Sequence, residues 1–386
     1  MERESGRGLG RPDFLTYNRT KGYEGGTEAL ITAEIELFST CPQSRGMSSH
    51  EGEAYLRQVA EVARWSERGG CRGMLIYTDN ALVDPWIVAQ LVVQSTDRLC
   101  PLVAVQPLYM HPYAAAKMVA SLGFVHRRKL YVNLVAGGFV NDLKALADET
   151  DHDERYRRLV EYGTIMSTLL ESDEPCSFSG DFYDVRNLAL KPSLPPDLHP
   201  PLFVSGSSPA GMAAARALGA TAVKYPQRVA EETGAEAGCT RIGMRIGILA
   251  RPNAEDAWRA ALERFPEDRR GQITHKLAML VSDSHWHREL SDLGSVDYSS
   301  EHPYWLGPFE NYKTFCPYLV GSYDRVGDEL RRYIDLGFHT FILDIPQAED
   351  DFVHIAAAFE AASAPRPRAA EGDTSFEPAK VARVPQ

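Results

Sequence analysis

The sequence predicts a parallel (β/α)8 barrel of the TIM type. Between residues 30 and 362, eight short apolar segments with strand character alternate with eight longer amphipathic segments. Such an alternation is typical of a parallel sheet covered by helices. No G-x-G-x-x-G sequence follows the first apolar segment, which counts against a Rossmann-type dinucleotide-binding domain.

The eight predicted strands are short and rich in β-branched and apolar residues. They cover Ile31–Phe38, Gly73–Tyr77, Leu99–Val105, Leu130–Val135, Leu202–Val204, Thr221–Lys224, Ile242–Leu249 and Thr340–Asp344. The predicted helices are Gly52–Arg68, Pro85–Gln94, Pro112–Leu122, His152–Leu170, Pro209–Leu218, Asp256–Phe265, Asp324–Leu336 and Glu349–Ala361.

Two predicted segments are additions to the eight strand–helix repeats of a minimal barrel. A small hairpin is predicted at 178–185, before strand five, because the residues alternate around Gly180-Asp181. An aromatic-rich insertion at about 269–321 precedes strand eight, at the rim where barrel active sites form. It is interpreted either as a substrate lid or as a packed excursion or oligomer contact. Residues 1–29 are expected to be a flexible lead-in and 363–386 an extended tail, because their composition favours neither helix nor strand.

Composition excludes several classes of function. The formal charge of −12 counts against a nucleic-acid-binding surface. Six scattered cysteines without a C-x-x-C pair are typical of reduced thiols. No apolar run reaches the roughly 18–20 residues that span a bilayer, and the first residues lack an apolar signal core, so we expect a cytoplasmic protein. His285-Trp286-His287 has no third ligand nearby, and no metal site is predicted.

Three segments combine the features of an anion-binding site. They are the run 130–138, which ends in Ala136-Gly137-Gly138, the helix start DHDERY at 151–156, and the segment SGSSP at 205–209. Glycines allow the backbone to approach a ligand closely, and helix N-termini favour negative charge. The segments predict a phosphate-bearing cofactor, although an ordinary strand–loop–helix unit or a plain helix cap would contain similar residues.

In order and spacing, these motifs resemble the bacterial luciferase-like flavin-dependent monooxygenases, and among them the alkanesulfonate monooxygenase branch. The resemblance also includes GMLIYTDNALVDPW at 73–86, GMR at 243–245 and YIDLGF at 333–338. It implies reduced FMN as cofactor and O2 as co-substrate. It further implies a separate NAD(P)H-dependent flavin reductase as partner and a homodimer or homotetramer as the assembly.

The resemblance implies that one group of side chains holds the cofactor. These residues are Asp79, Asn133, Ala136, His152, Arg155, Tyr156, Ser207 and Ser208. Arg155, Tyr156, His152 and Ser208 fall where the family contacts the FMN phosphate. Asp79 and Asn133 fall where the ring edge or the ribityl hydroxyls are expected, or are plain turn and cap residues.

Only some of the active-site residues of the alkanesulfonate monooxygenases have a counterpart in this sequence. The reactive-site cysteine of that branch falls on Leu82, a histidine falls near Cys41, and the strand-seven Arg-x-His reads Arg245-Ile246-Gly247. Burying an anion without cations costs several kcal/mol, and the available helpers of Arg245 are Lys224 and Lys313. We therefore expect a substrate other than a simple alkanesulfonate.

A larger and more apolar substrate is predicted, such as a natural-product intermediate that is either diffusible or carrier-bound. Its pocket residues are Leu82, Trp86, Tyr109, Tyr225 and Tyr312. Arg245 is predicted to be catalytic because a cation in the middle of the barrel needs an anionic partner. His111 is also predicted to be catalytic, with a helix cap or a surface group as the alternative. Two further functions stay open, namely a deazaflavin-dependent oxidoreductase and a non-catalytic flavin-binding barrel.

Overall fold

Eight parallel strands close into a barrel in the computed structural model, which describes residues 16–17, 33–137, 140–232, 234, 241–280 and 302–364. The barrel strands are β1 Glu36–Thr40, β2 Gly73–Ile76, β3 Cys100–Val105, β4 Tyr131–Val135, β5 Leu202–Ser205, β6 Thr221–Lys224, β7 Ile242–Arg251 and β8 Phe338–Leu343. Each strand pairs with its neighbour in sequence. The pair Thr340↔Glu36 joins β8 to β1 and closes the sheet. The predicted TIM-type barrel is confirmed.

The predicted helices are present, with bounds shifted by a few residues at most. The helices are Gly52–Arg68, Pro85–Ser95, Pro112–His126, Val140–Ala145, His152–Glu171, Pro209–Ala217, Ala254–Arg264, Arg269–Leu280, Gly307–Glu310, Tyr323–Asp335 and Asp350–Ser363, with a 3-10 turn at Pro196–Leu198. Asp84, Ser208 and Asn253 cap three of them by accepting a hydrogen bond from a first-turn N–H.

One helix continues past its predicted end at Leu122. Gly123 follows within the helix, where a Cβ atom would lie 2.9 Å from Leu194 Cδ2. The glycine therefore lets Leu194 pack closely against the helix, and the turn continues to His126. The predicted end at Leu122 is therefore four residues short, because packing outweighs the cost of glycine in a helix.

Aromatic side chains fill one layer of the barrel interior. The rings of Phe38, Tyr131 and Phe203 meet edge to face, with centroids 5.1–5.8 Å apart. They come from β1, β4 and β5, and all three are buried. Edge-to-face packing of this kind is favourable. The barrel is therefore a packed core at this level, and open space remains only towards its rim.

The hairpin before β5 is also observed. Cys176–Ser179 pairs antiparallel with Asp184–Leu188. In the turn between these strands, the backbone N–H groups of Asp181, Phe182 and Tyr183 donate to the Glu161 carboxylate at 2.8–3.1 Å. One carboxylate thus fixes the hairpin to the helix His152–Glu171.

Strand β7 is longer than the other barrel strands, and its second half pairs with a strand of the insertion. Its first half pairs with β8, and its second half, from Gly247, pairs in parallel with Tyr318–Ser322. That strand in turn pairs antiparallel with Tyr304–Trp305. Tyr304, Trp305 and Tyr318 are almost fully buried. These aromatic residues belong to a packed excursion and do not form an exposed lid.

Several predictions concern residues that the structure does not describe or describes only in part. Trp286, Tyr298 and the segment 285–287 lie outside the described residues. Within the predicted lead-in, Thr16–Tyr17 is described and pairs antiparallel with Ala33–Glu34. Most of the predicted tail lies outside the described residues as well. In the described part of the chain, no helix is long and apolar enough to cross a membrane, and the five described cysteines are free and buried.

The close fit of Tyr318 against β7 predicts that Gly247→Ala destabilises the protein. A Cβ at this position would lie 2.3 Å from the Tyr318 ring. Overpacking of this kind costs about 1–3 kcal/mol. The free energy of unfolding, measured by urea titration, should fall by that amount. Gly52→Ala is the control, since its Cβ meets nothing within 4 Å, and equal stabilities of the two variants would contradict the packing.

Candidate functional site

Three adjoining cavities lie at the carboxyl ends of the barrel strands. The inner cavity, of about 190 Å³, is lined by Asn133, Tyr156 and Ser208 among others. The outer cavity, of about 770 Å³, shares Gln43, Tyr77, Arg245 and Phe315 with it. The side cavity, of about 340 Å³, shares Thr78, Asp79, Leu82 and Ala104 with the inner one. The shared lining residues place these three cavities side by side at the rim where barrel active sites form.

The loop after β5 forms a cradle beside Tyr156. Gly206 has a φ of 154°, and a Cβ there would lie 2.2 Å from the Tyr156 hydroxyl oxygen. Ser208 caps the next helix, where its Oγ accepts a hydrogen bond from Gly211 N at 3.2 Å. Between them, the buried Ser207 Oγ has no hydrogen-bond partner among the described residues. A buried hydroxyl without a partner suits a ligand rich in oxygen atoms.

The start of helix His152–Glu171 faces this cradle. His152 and Tyr156 line the inner cavity, and their rings meet at 5.2 Å. Burial raises the pKa of Tyr156, while a hydrogen bond with Ser208 and the charge of Arg155 act in the opposite direction. Tyr156 therefore remains a neutral hydroxyl near pH 7 and can donate a hydrogen bond.

Arg155 occupies a different place from the one expected for a direct phosphate contact. Its side chain is buried, and NH1 donates to the Thr150 carbonyl at 2.9 Å. It is not among the residues that line the inner cavity. Because its charge acts on the pKa of Tyr156, Arg155 contributes positive potential to the cradle from behind its wall.

The ends of β2 and β4 supply the opposite wall of the inner cavity. Asn133 is buried on β4, and its Oδ1 accepts a hydrogen bond from Ser205 Oγ at 2.9 Å. Ala136 lines the same wall, next to Gly137, whose φ is 94°. Asp79 forms an ion pair with Arg45 and accepts a hydrogen bond from Ala81 N at 2.7 Å. Asp79 thus lines the cavity and also holds a turn, as the alternative interpretation of this residue proposed.

Arg245 lies where the inner and outer cavities meet. Its guanidinium stacks on the ring of Tyr77 at 4.6 Å, and NH1 donates to the Tyr225 hydroxyl at 3.0 Å. NH2 lies 3.6 Å from Asp344 Oδ1. The anionic partner of Arg245, expected in a ligand, is a carboxylate of the protein itself.

Tyr77 and Asp344 were missed in the sequence. Each directly follows a barrel strand, β2 and β8 respectively, which is the signal that identifies rim residues. Asp344 Oδ2 also accepts hydrogen bonds from Thr314 Oγ1 at 2.6 Å and from the Tyr318 hydroxyl at 2.7 Å. Asp344 therefore connects the barrel rim to the insertion.

The predicted substrate-pocket residues divide among the three cavities. Leu82 lines the inner and side cavities, and Tyr225 lines the inner one. Trp86 and Tyr109 line the side cavity, whereas Tyr312 lines the outer cavity. The side-cavity hydroxyl of Tyr109 donates to Asn80 Oδ1 at 2.7 Å. The structure therefore brings these five residues to adjoining cavities at one rim, but not to a single pocket.

His111 is not among the residues that line these cavities. It caps the helix Pro112–His126, where its Nδ1 accepts a hydrogen bond from Tyr113 N at 3.2 Å. Its ring packs edge to face on Tyr183 of the hairpin turn at 5.7 Å. The helix-cap alternative describes this placement, and the structure does not bring His111 to Arg245.

Comparison with known proteins decides the family. A family model described as luciferase-like monooxygenase matches residues 35–340. The chain belongs to the luciferase-like monooxygenase family. One relative of this luciferase-like monooxygenase is the 4-(gamma-L-glutamylamino)butanoyl-[BtrI acyl-carrier protein] monooxygenase BtrO of Niallia circulans. The two are 32% identical over 340 residues, which cover 86% of this chain and 98% of the relative.

Solved structures show the same fold at lower identity. The long-chain alkane monooxygenase LadA superposes with a TM-score of 0.65 at 16% identity, covering 86% of this chain and 92% of LadA. An F420-dependent secondary alcohol dehydrogenase superposes with a TM-score of 0.58 at 17% identity, covering 85% of this chain and 99% of the dehydrogenase. At such identities, these likenesses support the barrel but not a particular cofactor or substrate.

The contacts of Asp344 predict that Tyr318→Phe destabilises the luciferase-like monooxygenase more than Tyr304→Phe does. Both tyrosines are buried in the insertion, but the Tyr304 hydroxyl donates to a neutral acceptor, the Pro226 carbonyl, at 2.8 Å. Hydrogen bonds to charged groups contribute about 1.5–3 kcal/mol and neutral ones about 0.5–1.5 kcal/mol. The comparison is made on free energies of unfolding, and equal losses would argue against a charged Asp344 acceptor.

Proposed function

We propose that this protein is the oxygenase component of a two-component monooxygenase. It would use reduced FMN and O2 to oxygenate a natural-product intermediate that is not a simple alkanesulfonate. The observation that carries the proposal is the cradle formed by Tyr156, Gly206, Ser207 and Ser208 at the rim of a luciferase-like barrel. The family supports monooxygenase chemistry, and the cradle supports a phosphorylated flavin.

The residues present fit the phosphate of FMN. Ser207 Oγ is a buried hydroxyl with no hydrogen-bond partner in the described chain. The Tyr156 hydroxyl, whose hydrogen bond to the Ser205 carbonyl is long at 3.4 Å, is a second donor that could turn to a phosphate. Ser208 stands at the start of a nine-residue helix, whose N-terminus favours an anion. Gly206 leaves room that a Cβ would fill. A phosphate at this position would gain charge-assisted hydrogen bonds.

The lining of the inner cavity offers both polar and apolar groups to the remainder of the flavin. Asn133 and Asp79 would face its polar edge, whereas Leu75, Val223 and Ile342 form an apolar floor. Bound reduced FMN would supply the electrons that activate O2. Tyr77 and Phe315 line both this cavity and the outer one and so lie between them. Their role would be to exclude water from the reacting atoms.

The substrate half of the proposal draws on the relative and on the outer cavity. BtrO of Niallia circulans is named for a substrate carried on an acyl-carrier protein, and it aligns with this chain over nearly its full length. The outer cavity is roomy enough for a substrate larger than a short alkanesulfonate. A carrier-bound or free natural-product acyl group is therefore the proposed substrate. The resemblance to the alkanesulfonate branch supports the flavin site but not a sulfonate site.

A flavin reductase that uses NAD(P)H is the proposed partner, because reduced FMN must be supplied from outside the barrel. We also propose a homodimer or homotetramer in the cytoplasm, as the family resemblance implies. The structural likeness to an F420-dependent dehydrogenase makes deazaflavin the alternative cofactor to be tested. A flavin-binding barrel without catalysis is the alternative outcome.

The cradle predicts that Ser207→Ala weakens binding of FMN but not of riboflavin, which lacks the phosphate. The substitution removes a hydrogen bond to a charged group, which contributes about 1.5–3 kcal/mol. It breaks no protein contact in the described chain. Anaerobic titration with both reduced flavins measures the effect, with Ser363→Ala on the last helix as the control. Equal losses for both flavins would remove the phosphate assignment.

Activity is tested by mixing the anaerobic protein and reduced FMN with ¹⁸O2 and carrier-bound or free acyl substrates. Substrate-dependent incorporation of one ¹⁸O atom into product is the expected result. Binding of FMN without substrate-dependent oxygen use would point to the non-catalytic barrel. Tight binding of reduced deazaflavin without binding of FMN would instead support the dehydrogenase alternative.

A further inference from the structure

The cations around the cavities are compensated by carboxylates of the protein. In the outer cavity, Arg45 pairs with Asp79 and Lys313 with Asp268, the latter at 2.6 Å. A third cation at this rim pairs in the same way, as Arg264 lies 3.2 Å from Asp351. Lys224, which the sequence analysis offered as a helper for a bound anion, pairs with Glu232.

Arg245 differs from the other cations because it is buried where the inner and outer cavities meet. Its side chain is 5% exposed and that of Asp344 is 9% exposed. Solvent screens a pair at this depth far less than a pair at the rim. Solvent therefore weakens the repulsion between Asp344 and an anion placed beside Arg245 less than it would at the rim.

Asp344 is held firmly in its position. Thr314 Oγ1 and the Tyr318 hydroxyl both donate to Oδ2, which leaves Oδ1 towards Arg245. Arg245 is held by the rings of Tyr77 and Tyr225. Neither charge can move away from the other without breaking several contacts.

We propose that Asp344 is a specificity-determining residue that makes this monooxygenase select an acceptor with an uncharged reacting end. The proposal rests on the proposed function and narrows its substrate class. An anionic headgroup beside Arg245 would meet the Asp344 carboxylate, and Asp142 adds another negative charge to the same cavity. Burying an anion without free cations is costly. An amide, ester or thioester carbonyl needs only a hydrogen-bond donor, which Arg245 still offers.

The experiment uses two ligands of equal chain length, octanamide and octanesulfonate. Binding of each to the full-length protein loaded with reduced FMN is measured anaerobically by calorimetry. The wild-type protein should bind octanamide at least about tenfold more tightly than octanesulfonate. Equal or tighter binding of octanesulfonate, or no binding of octanamide, would overturn the proposal. This comparison needs no variant, so it decides the question even if a substitution impairs folding.

Three variants then test the role of the carboxylate. Asp344→Asn should improve octanesulfonate binding by about tenfold while octanamide binding changes by less than about threefold. Asp344→Glu should retain the selectivity of the wild-type protein. Asp268→Asn makes the same charge change at an exposed pair and should alter the ratio of the two affinities by less than about threefold.

If Asp344 had only a structural role, Asp344→Asn would weaken the binding of both ligands by the same factor. That result would contradict the proposal. The affinity for reduced FMN distinguishes failure of the proposed function from failure of the role proposed for Asp344. If the wild-type protein does not bind FMN, the proposed function fails. If it binds FMN but does not discriminate between the two ligands, the assignment of Asp344 fails on its own.

Discussion

Closure of the parallel sheet is the constraint on which the site depends. The β8–β1 pairing forces the carboxyl ends of all eight strands onto one rim. Tyr77, Asn133, Ser205, Arg245 and Asp344 come from five different strands or the residues that follow them. They are distant in sequence and become neighbours only because the sheet is closed. The interior aromatic layer supports that rim from below, so the site stands on a rigid base.

The fold could be predicted from the sequence because its signals are local. Period-two apolar segments, first-turn prolines and Ser or Asp caps each depend on residues within one turn or strand. The proposal of a phosphate site at Ser207-Ser208 rests on the same kind of local signal, since its residues are contiguous. The contact of Asp344 with Arg245 was missed because it depends on the register between β7 and β8. Asp344 lies just past Ile342, the partner of Arg245 across β7 and β8, and no local pattern reveals such a lateral neighbour.

His111 and Arg155 show a second limit of sequence reasoning. Their positions along the chain were predicted correctly, but the direction of a side chain depends on competing partners. The Nδ1 of His111 meets a free N–H at its own helix start, and Arg155 meets the Thr150 carbonyl. Both contacts pair the side chain with a backbone group a few residues away in the chain. A functional role assigned from residue type alone cannot anticipate such local competition.

The pairing of residues 36 and 340 also bears on how the protein is made. Synthesis proceeds from the N-terminus, so β1 emerges about 300 residues before the strand that completes it. Until β8 leaves the ribosome, β1 and β7 are open edges, and open strand edges pair readily with other chains. Closure is therefore among the last events of folding in the cell. The edge of β1 that pairs with β8 is therefore an aggregation hazard of the nascent chain until residue 340 has been added.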